Sequence, residues 1–244
     1  MMKRKEFLDR FVFVRKCVGC GEILPYERTK EAFCETCIVR WRMAKTENCS
    51  ECLRVVTECT CAPKGLRGVH SLRKLIFYHS KKHREPQNKL IYYLKHHANA
   101  RLSAFVAREL APALNEELAA CGFAEKREEV VIVNVPRGRR AKRNYGHDQS
   151  ELICRALAEN CQITYCGAIL RRRGGGKEQK KLTGAKRFAN VKEAFALRED
   201  VELSGKCVVL LDDVVTTGAS MFWCVKLLKS AGAEKILTLC IAQD

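Results

Sequence analysis

The sequence predicts an α/β fold: a parallel β-sheet flanked by helices, preceded by a small cysteine-rich module. Three observations carry this reading. Short apolar runs at 130–135, 208–211 and 236–242 alternate with stretches of helical periodicity, the pattern of parallel strands buried on both faces. Eight of the fifteen cysteines fall between Cys17 and Cys61, in closely spaced pairs. The run Val208–Leu211 ends in two acids, Asp212 and Asp213, followed by a turn of small residues and another helical stretch. In parallel sheets, ligands bind outside the carboxyl ends of the strands.

Length and composition bound the answer. The chain has 244 residues, room for one large or two modest domains, and its 47% hydrophobic content suffices for a core. Its apolar runs fall far short of the roughly 18 residues of a membrane span. Met1 to Lys5 is basic but is followed by no apolar core or small-residue cleavage site, so no signal peptide is expected and the predicted location is cytoplasmic. The net charge of +17 is uneven: residues 137–143 hold five basic residues and no acid, and residues 171–187 hold eight basic residues and one acid. A polyanion is implied, either pyrophosphate or nucleic acid or both, against the alternative of a solvated basic surface.

In chain order, residues 2–14 suggest a short helix. Cys17-x-x-Cys20 and Cys34-x-x-Cys37 follow, thirteen residues apart, at the spacing of a zinc ribbon. Each pair offers two thiolates, and tetrahedral closure needs two pairs. A second candidate site uses Cys49, Cys52, Cys59 and Cys61, with the last pair one residue tighter. Cross-braced pairing stays open at this level. A redox role fits less well, because the pairs recur without a βαβ context. The remaining seven cysteines mostly sit in apolar segments, as small core residues. Pro63-Lys64-Gly65 marks a boundary, giving a zinc-binding module over 1–66 and an α/β domain over 67–244.

Beyond it, residues 69–78 read as strand, 85–97 as helix and 101–120 as a helix that Pro112 kinks or splits. His79, His83, His96 and His97 read as surface residues. Val130 to Val135 is a buried strand ending in Pro136-Arg137-Gly138-Arg139-Arg140. A helix is expected over 147–160, a strand over 163–170, and a mobile loop over 171–190 around Gly174-Gly175-Gly176. Then come the strand Val208–Leu211, the turn Thr216–Ser220, a helix from Met221 to Leu228 and a last strand from Ile236 to Ala242. The turn offers backbone N–H groups at a helix N-terminus, and Thr216, Thr217 and Ser220 add hydroxyls, which suits a phosphate. Gly218 lets the backbone approach closely. Acids beside an anion site make sense for a sugar phosphate: the turn holds the phosphate, and Asp212 and Asp213 accept from ribose hydroxyls.

The run from Val208 to Ser220 resembles the phosphoribosyl pyrophosphate (PRPP) motif of type I phosphoribosyltransferases: four apolar residues, two acids, then a Thr-Thr-Gly turn. More of the chain resembles the ComF family, phosphoribosyltransferase-like proteins named for bacterial competence. The matching pieces, in order, are the cysteine module, Phe77-Tyr78…Leu90-Ile91…Leu94-Lys95, Val135-Pro136-Arg137…Arg140…Arg143, the set Gln179, Leu182, Arg187 and Asn190, Ala194-Phe195, and the acid-rich motif. One loop departs. The family pattern has Gly after the arginine and an aromatic-Asn-Gln run, whereas this chain reads Arg143-Asn144-Tyr145-Gly146-His147-Asp148-Gln149, so His147 or Gln149 takes the glutamine position.

The resemblance implies a type I phosphoribosyltransferase-like sheet that binds PRPP with Mg²⁺, beside structural Zn²⁺. The implied PRPP contacts are Arg137, Gly138 and Arg140 at the pyrophosphate, Asp212 and Asp213 at the ribose, and Val215, Thr216, Thr217, Gly218, Ala219 and Ser220 at the 5′-phosphate. The candidate catalytic residues are Asp212, Asp213 and Lys181, with Lys180 or Arg187 as other cations for the leaving group. No general base stands out, and the nucleophile is open. Three functions follow: a PRPP-binding protein assisting uptake or processing of single-stranded DNA with other DNA-uptake proteins as partners, a phosphoribosyltransferase acting on a base or other small nucleophile, or a PRPP-sensing regulator without catalysis.

Overall fold

A computed structural model describes residues 14–68, 70–81, 84–138, 143–173 and 194–244. The strands are β1 (Arg73–Phe77), β2 (Val130–Asn134), β3 (Thr164–Tyr165), β4 (Leu170–Arg172), β5 (Phe195–Leu197), β6 (Cys207–Val215) and β7 (Lys235–Gln243). The helices are α1 (Glu35–Ala44), α2 (Pro86–His96), α3 (Ala100–Ala120), α4 (Gln149–Cys161) and α5 (Ala219–Ser230). Five strands form one sheet in the order β1-β7-β6-β2-β3, with every pairing parallel. β4 and β5 make a separate antiparallel ribbon.

Side-chain alternation explains why the central strand is buried on both faces. Val208 and Leu210 of β6 join a core with Met221, Val225 and Leu228 of α5. Val209 and Leu211 join the opposite core with Leu110 and Leu114 of α3 and Ile153 and Leu157 of α4. All four are fully buried. The result is the helix–sheet–helix layering that the alternation of strands and helices predicts.

The order of strands fixes where a ligand can sit. From β2 the chain passes through α4 to β3 on one side of the sheet. From β6 it passes through α5 to β7 on the other. Neighbouring strands whose crossovers diverge leave a crevice at their carboxyl ends. Here that crevice lies between Asn134 and the acids of β6.

Several boundaries differ from expectation. The strand expected over 163–170 is two strands in two sheets, β3 and β4. Gly167 marks the break: a Cβ there would lie 1.8 Å from the Tyr165 hydroxyl, so the ring can fold back only against glycine. Asp212 and Asp213 lie within β6, whose ladder continues to Val215 opposite Gln243. Pro112 sits inside α3 without splitting it; packing of Phe105, Leu110, Leu114 and Leu118 into the core outweighs one missing N–H. Residues 2–13 of the expected N-terminal helix, and 174–190 of the expected loop, lie outside the described residues.

The cysteine-rich segment shares a core with the sheet. Phe33 and Trp41 are fully buried and pack on Phe105 of α3 at ring-centroid distances of 5.6 and 5.8 Å. The Trp41 indole N–H and the Lys45 ammonium both donate to Glu109, each at 2.8 Å. Of the seven scattered cysteines, Cys154, Cys161, Cys207, Cys224 and Cys240 are buried, as core residues should be.

Candidate functional site

The crevice is a cleft of about 240 Å³ lined by Lys95, Val135, Pro136, Arg137, Asp148, Gln149, Ser150, Arg172, Asp212, Asp213 and Ser220. β2 delivers Arg137 just past its end, β6 delivers the acids, α4 begins with Gln149, and β4 contributes Arg172. A hydrogen-bonded chain crosses the floor: Arg137 donates to the Gln149 side-chain oxygen, and the Gln149 amide donates to Asp213. Asp148, at the N-cap of α4, accepts from the Arg137 backbone N–H at 3.3 Å and from Asn134 at 3.5 Å. The Tyr165 hydroxyl donates to Asn134 at 2.9 Å. These bonds tie the exit of β2 to the start of α4.

Asp212 accepts from the Asp213 backbone N–H at 2.9 Å. Burial pushes its carboxyl well above the usual carboxylate range, and the neighbouring Asp213 charge adds to this. A strained acid pair of this kind gains from any ligand that brings positive charge or hydroxyl donors. Opposite it stand the cations Arg137, Arg172 and Lys95. The Arg137 guanidinium lies over the Tyr145 ring at 4.8 Å, and that of Arg172 over Phe195 at 5.3 Å, so both are held by aromatic faces.

The turn after β6 enters α5 through Gly218, whose φ of 77° is left-handed. The first amides of a helix have no intrahelical carbonyl to bond, so the loop presents donors to the cleft. Thr216 and Thr217 are exposed, Val215 and Ala219 are buried, and Ser220 lines the cleft. The Thr217 hydroxyl accepts from the Ala219 N–H at 3.4 Å. Gly138 lies beside the Arg172 side chain. Of the sequence-predicted residues, Arg137, Asp212, Asp213 and Ser220 converge on one cleft. Arg140, Lys181 and the family-type set Gln179, Leu182, Arg187 and Asn190 lie outside the described residues.

Gln149, not His147, points into the site. The two ring nitrogens of His147 face the Tyr145 and Leu94 carbonyl oxygens at 2.7 and 3.0 Å. Sequence reasoning did not assign Asp148, Ser150 or Lys95 to the site. It counted Arg172 only as loop charge. The available signal for Asp148 was its type, an N-cap residue before a helical run.

The cysteines gather into two sets, Cys17/Cys20/Cys34/Cys37 and Cys49/Cys52/Cys59/Cys61, each with its sulfur atoms within 4.8 Å of one another. Pairing is therefore consecutive, not cross-braced. Tetrahedral thiolates at about 2.3 Å from a zinc ion stand roughly 3.8 Å apart. Cys20 and Cys34 are already at 3.6 Å. Both sets fit a metal ion.

The first pair of each set, Cys17/Cys20 and Cys49/Cys52, sits on the same turn, offset by 32 residues. The Cys17 N–H donates to the Glu22 carbonyl as Cys49 does to Arg54, both at 2.8 Å. Gly21 donates to Cys17 as Leu53 does to Cys49, both at 2.9 Å. Isolated bridges join Lys16 to Ile23 and Asn48 to Val55. Burial disfavours the thiolates of Cys17 and Cys49, yet backbone amides, foremost Cys34 for Cys17 and Cys52 for Cys49, together with neighbouring thiols outweigh it and lower both to about 7. Burial raises Cys34, Cys37 and Cys59, and raises Cys61 to about 12. The Lys74 ammonium, fully buried, donates to the Cys59 sulfur at 3.4 Å and to the Cys61 carbonyl.

No helix among the described residues is long and apolar enough to cross a membrane. No family model matches the chain. Among solved structures, a purine phosphoribosyltransferase from Pyrococcus horikoshii Ot3 superposes with a TM-score of 0.34 at 20% identity, over 56% of this chain and 73% of that one. An adenine phosphoribosyltransferase from Saccharomyces cerevisiae gives 0.35 at 16%, over 57% and 68%. Sequence relatives are more informative. A protein from Haemophilus influenzae named competence protein F is 33% identical over 92 residues, 37% of this chain and 40% of that protein. The DNA utilization protein YhgH of Escherichia coli K12 is 30% identical over 112 residues, 46% and 48% of the two chains. Its Salmonella typhimurium counterpart is 30% identical over 158 residues, 65% of this chain and 67% of that protein. With that coverage, and with a parallel sheet and cysteine sets where the motifs place them, the chain belongs to the ComF family.

Proposed function

We propose that this protein binds PRPP and assists the uptake or processing of single-stranded DNA. One observation carries the reading: the cleft at the strand switch point joins an acid pair, two arginines and the N-terminus of α5 within one cavity. Those groups match a ribose flanked by two phosphoryl ends. Asp212 and Asp213 would accept from ribose hydroxyls, directly or with Mg²⁺, a hard cation suited to carboxylate and phosphate oxygens. Residues Val215 to Ser220 would hold the 5′-phosphate. Arg137, Gly138 and Arg172 would meet the pyrophosphate, with Arg140 and Lys181 as further candidates. The two cysteine sets would each hold structural Zn²⁺, in a module over 1–66 preceding the 67–244 domain. Fifteen free cysteines, eight of them gathered for metal, support a reducing, cytoplasmic location.

The names of the relatives, DNA utilization protein and competence protein, support the DNA role. So does the +17 net charge. A second reading is favoured by the Arg137–Gln149–Asp213 chain, which would orient a bound ribose: a phosphoribosyltransferase. A nucleophile would then form a bond to the anomeric carbon, and the carbon–oxygen bond to pyrophosphate would break with its electron pair leaving on pyrophosphate.

Calorimetric titration with PRPP and Mg²⁺ tests the first claim. Binding that is lost in Asp212→Asn/Asp213→Asn supports it, and absence of binding in the unaltered protein refutes it. Fluorescence anisotropy with single-stranded DNA tests the second, with a salt slope of about −0.7 per phosphate contact. Arg171 and Arg173 lie outside the cleft lining, so their replacement by Ala should weaken DNA binding alone, whereas Arg172→Ala should weaken both ligands. Pyrophosphate release across bases and DNA separates enzyme from binder.

A further inference from the structure

The two cysteine sets share their turn geometry but not their neighbours, and the neighbours of the second lead to the cleft. Two residues past Cys61, the chain turns through Pro63 to Leu66, with Leu66 fully buried. The Gly65 N–H donates to the Thr217 carbonyl at 3.0 Å. A Cβ at Gly218 would stand 3.0 Å from Pro63 and 3.1 Å from Leu66, so the turn presses directly on the loop that opens α5. On the other side, Lys74 of β1 holds Cys59 and Cys61. The Leu72 N–H donates to the Thr60 carbonyl at 3.2 Å, fixing the same segment to the sheet edge. The first set has no such path among the described residues; its contacts go to α2 and α3, through Lys89 to the Gly19 carbonyl at 2.6 Å and Arg101 to the Glu31 carbonyl.

We infer that the second cysteine set, when loaded with metal, is a template for the 216–220 loop: it sets the Pro63–Leu66 turn, which holds Thr217 and Gly218 in the conformation that accepts a phosphate. This rests on the proposed reading of that loop as a phosphate site. The four thiolates place a metal at one end of a rigid segment, and the loop closes on its other end. Lys74 is a positioning residue, whose charge offsets the surplus negative charge of a four-thiolate centre and orients Cys59. Linkage makes the coupling mutual, so a ligand in the loop should also raise the affinity of the second set for metal.

The test uses the full zinc-loaded chain and three variants: Cys61→Ser in the second set, Cys20→Ser in the first, and Leu66→Ala, which touches no ligand. Amide hydrogen exchange across 214–221 is the primary readout, with metal content and calorimetric affinity for ribose 5-phosphate beside it. Exchange of the loop should rise and ribose 5-phosphate affinity should fall by about tenfold in Cys61→Ser and Leu66→Ala, within the usual span of site-to-site coupling. Leu66→Ala should keep its full metal content. Cys20→Ser should leave loop exchange unchanged. Unaltered exchange in Cys61→Ser and Leu66→Ala, or an equal rise in Cys20→Ser, would overturn the coupling. If the unaltered protein fails to bind ribose 5-phosphate, the phosphate reading fails, while loop exchange still decides whether the second set shapes the loop.

Discussion

The two cysteine sets open on the same turn in two settings. Their backbone hydrogen bonds repeat at an offset of 32 residues, yet one is pressed into the α2–α3 face of the core and the other is hung between a sheet edge and the loop before α5. Short-range geometry follows from cysteine spacing. What each set contributes follows from what packs against it. The first should serve global stability, since Cys17, Cys34 and Cys37 share a core with Phe33, Trp41 and Phe105. The second should serve local order.

The largest expected effect tests that division. Metal binding of about 10–16 kcal/mol is part of folding in such sites. Cys34→Ser should therefore lower the calorimetric Tm much more than Cys59→Ser, and the loss should reach the sheet through Phe105. Equal losses would erase the contrast. Next comes Trp41→Ala, a buried aromatic truncation costing about 3–5 kcal/mol. It also leaves Glu109 without its indole donor. Chemical denaturation should show one cooperative transition, shifted as a whole; a separate early transition would mean the cysteine module unfolds alone.

A third prediction concerns pH, at the cleft that the second set faces. The Asp212 carboxyl holds its proton more tightly folded than unfolded. Stability therefore falls as pH rises from the ordinary carboxylate range toward the raised folded value. Asp212→Asn should remove that loss, raising Tm at pH 7–8 by about 2–4 °C for each kcal/mol recovered, and by little near pH 4. A variant no more stable at neutral pH would show that the acid pair carries no strain. The smallest effect tests the repeat itself. Gly21 and Leu53 occupy matching left-handed positions, at φ of 85° and 61°. For leucine this backbone costs roughly 1–2 kcal/mol. Leu53→Gly should raise stability by less than that, about 0.5–1 kcal/mol, because glycine also loses more chain entropy on folding. A fall in stability would show that the Leu53 side chain is needed despite its exposure.

Much of this was legible beforehand, for identifiable reasons. The apolar run at 208–211 could only be a doubly buried strand, and the acids and small turn after it announced the cleft. Ribbon spacing gave both cysteine sets. Four things were hidden because they depend on tertiary context. The run 163–170 looks like one strand; only the Tyr165 ring folding over Gly167 shows that it divides between two sheets. Gln149 and His147 both fit the family pattern, and the choice follows from two carbonyls that hold the His147 ring, the local one of Tyr145 and the distant one of Leu94. The 32-residue repeat leaves little trace outside its cysteines, since Lys16 and Asn48 match, as do Gly21 and Leu53, through backbone bonds alone. Lys74 passes unremarked within the strand expected over 69–78, because nothing local says that the Cys59 sulfur and the Cys61 carbonyl will meet its ammonium.

The β4–β5 ribbon has a consequence for how the family can vary. The Arg173 N–H donates to the Ala194 carbonyl at 2.8 Å, and Leu170, Phe195 and Ala196 anchor the ribbon in the core. Arg173 and Ala194 are thus held side by side. Lengthening the sequence between two such paired ends costs only about 0.6 kcal/mol per doubling. Because the ribbon joins Arg173 to Ala194, changes in length between these two positions can be accommodated without re-registering a single strand of the parallel sheet. Exchanging the sequence between Arg173 and Ala194 for that of a relative should leave the recipient's fold intact.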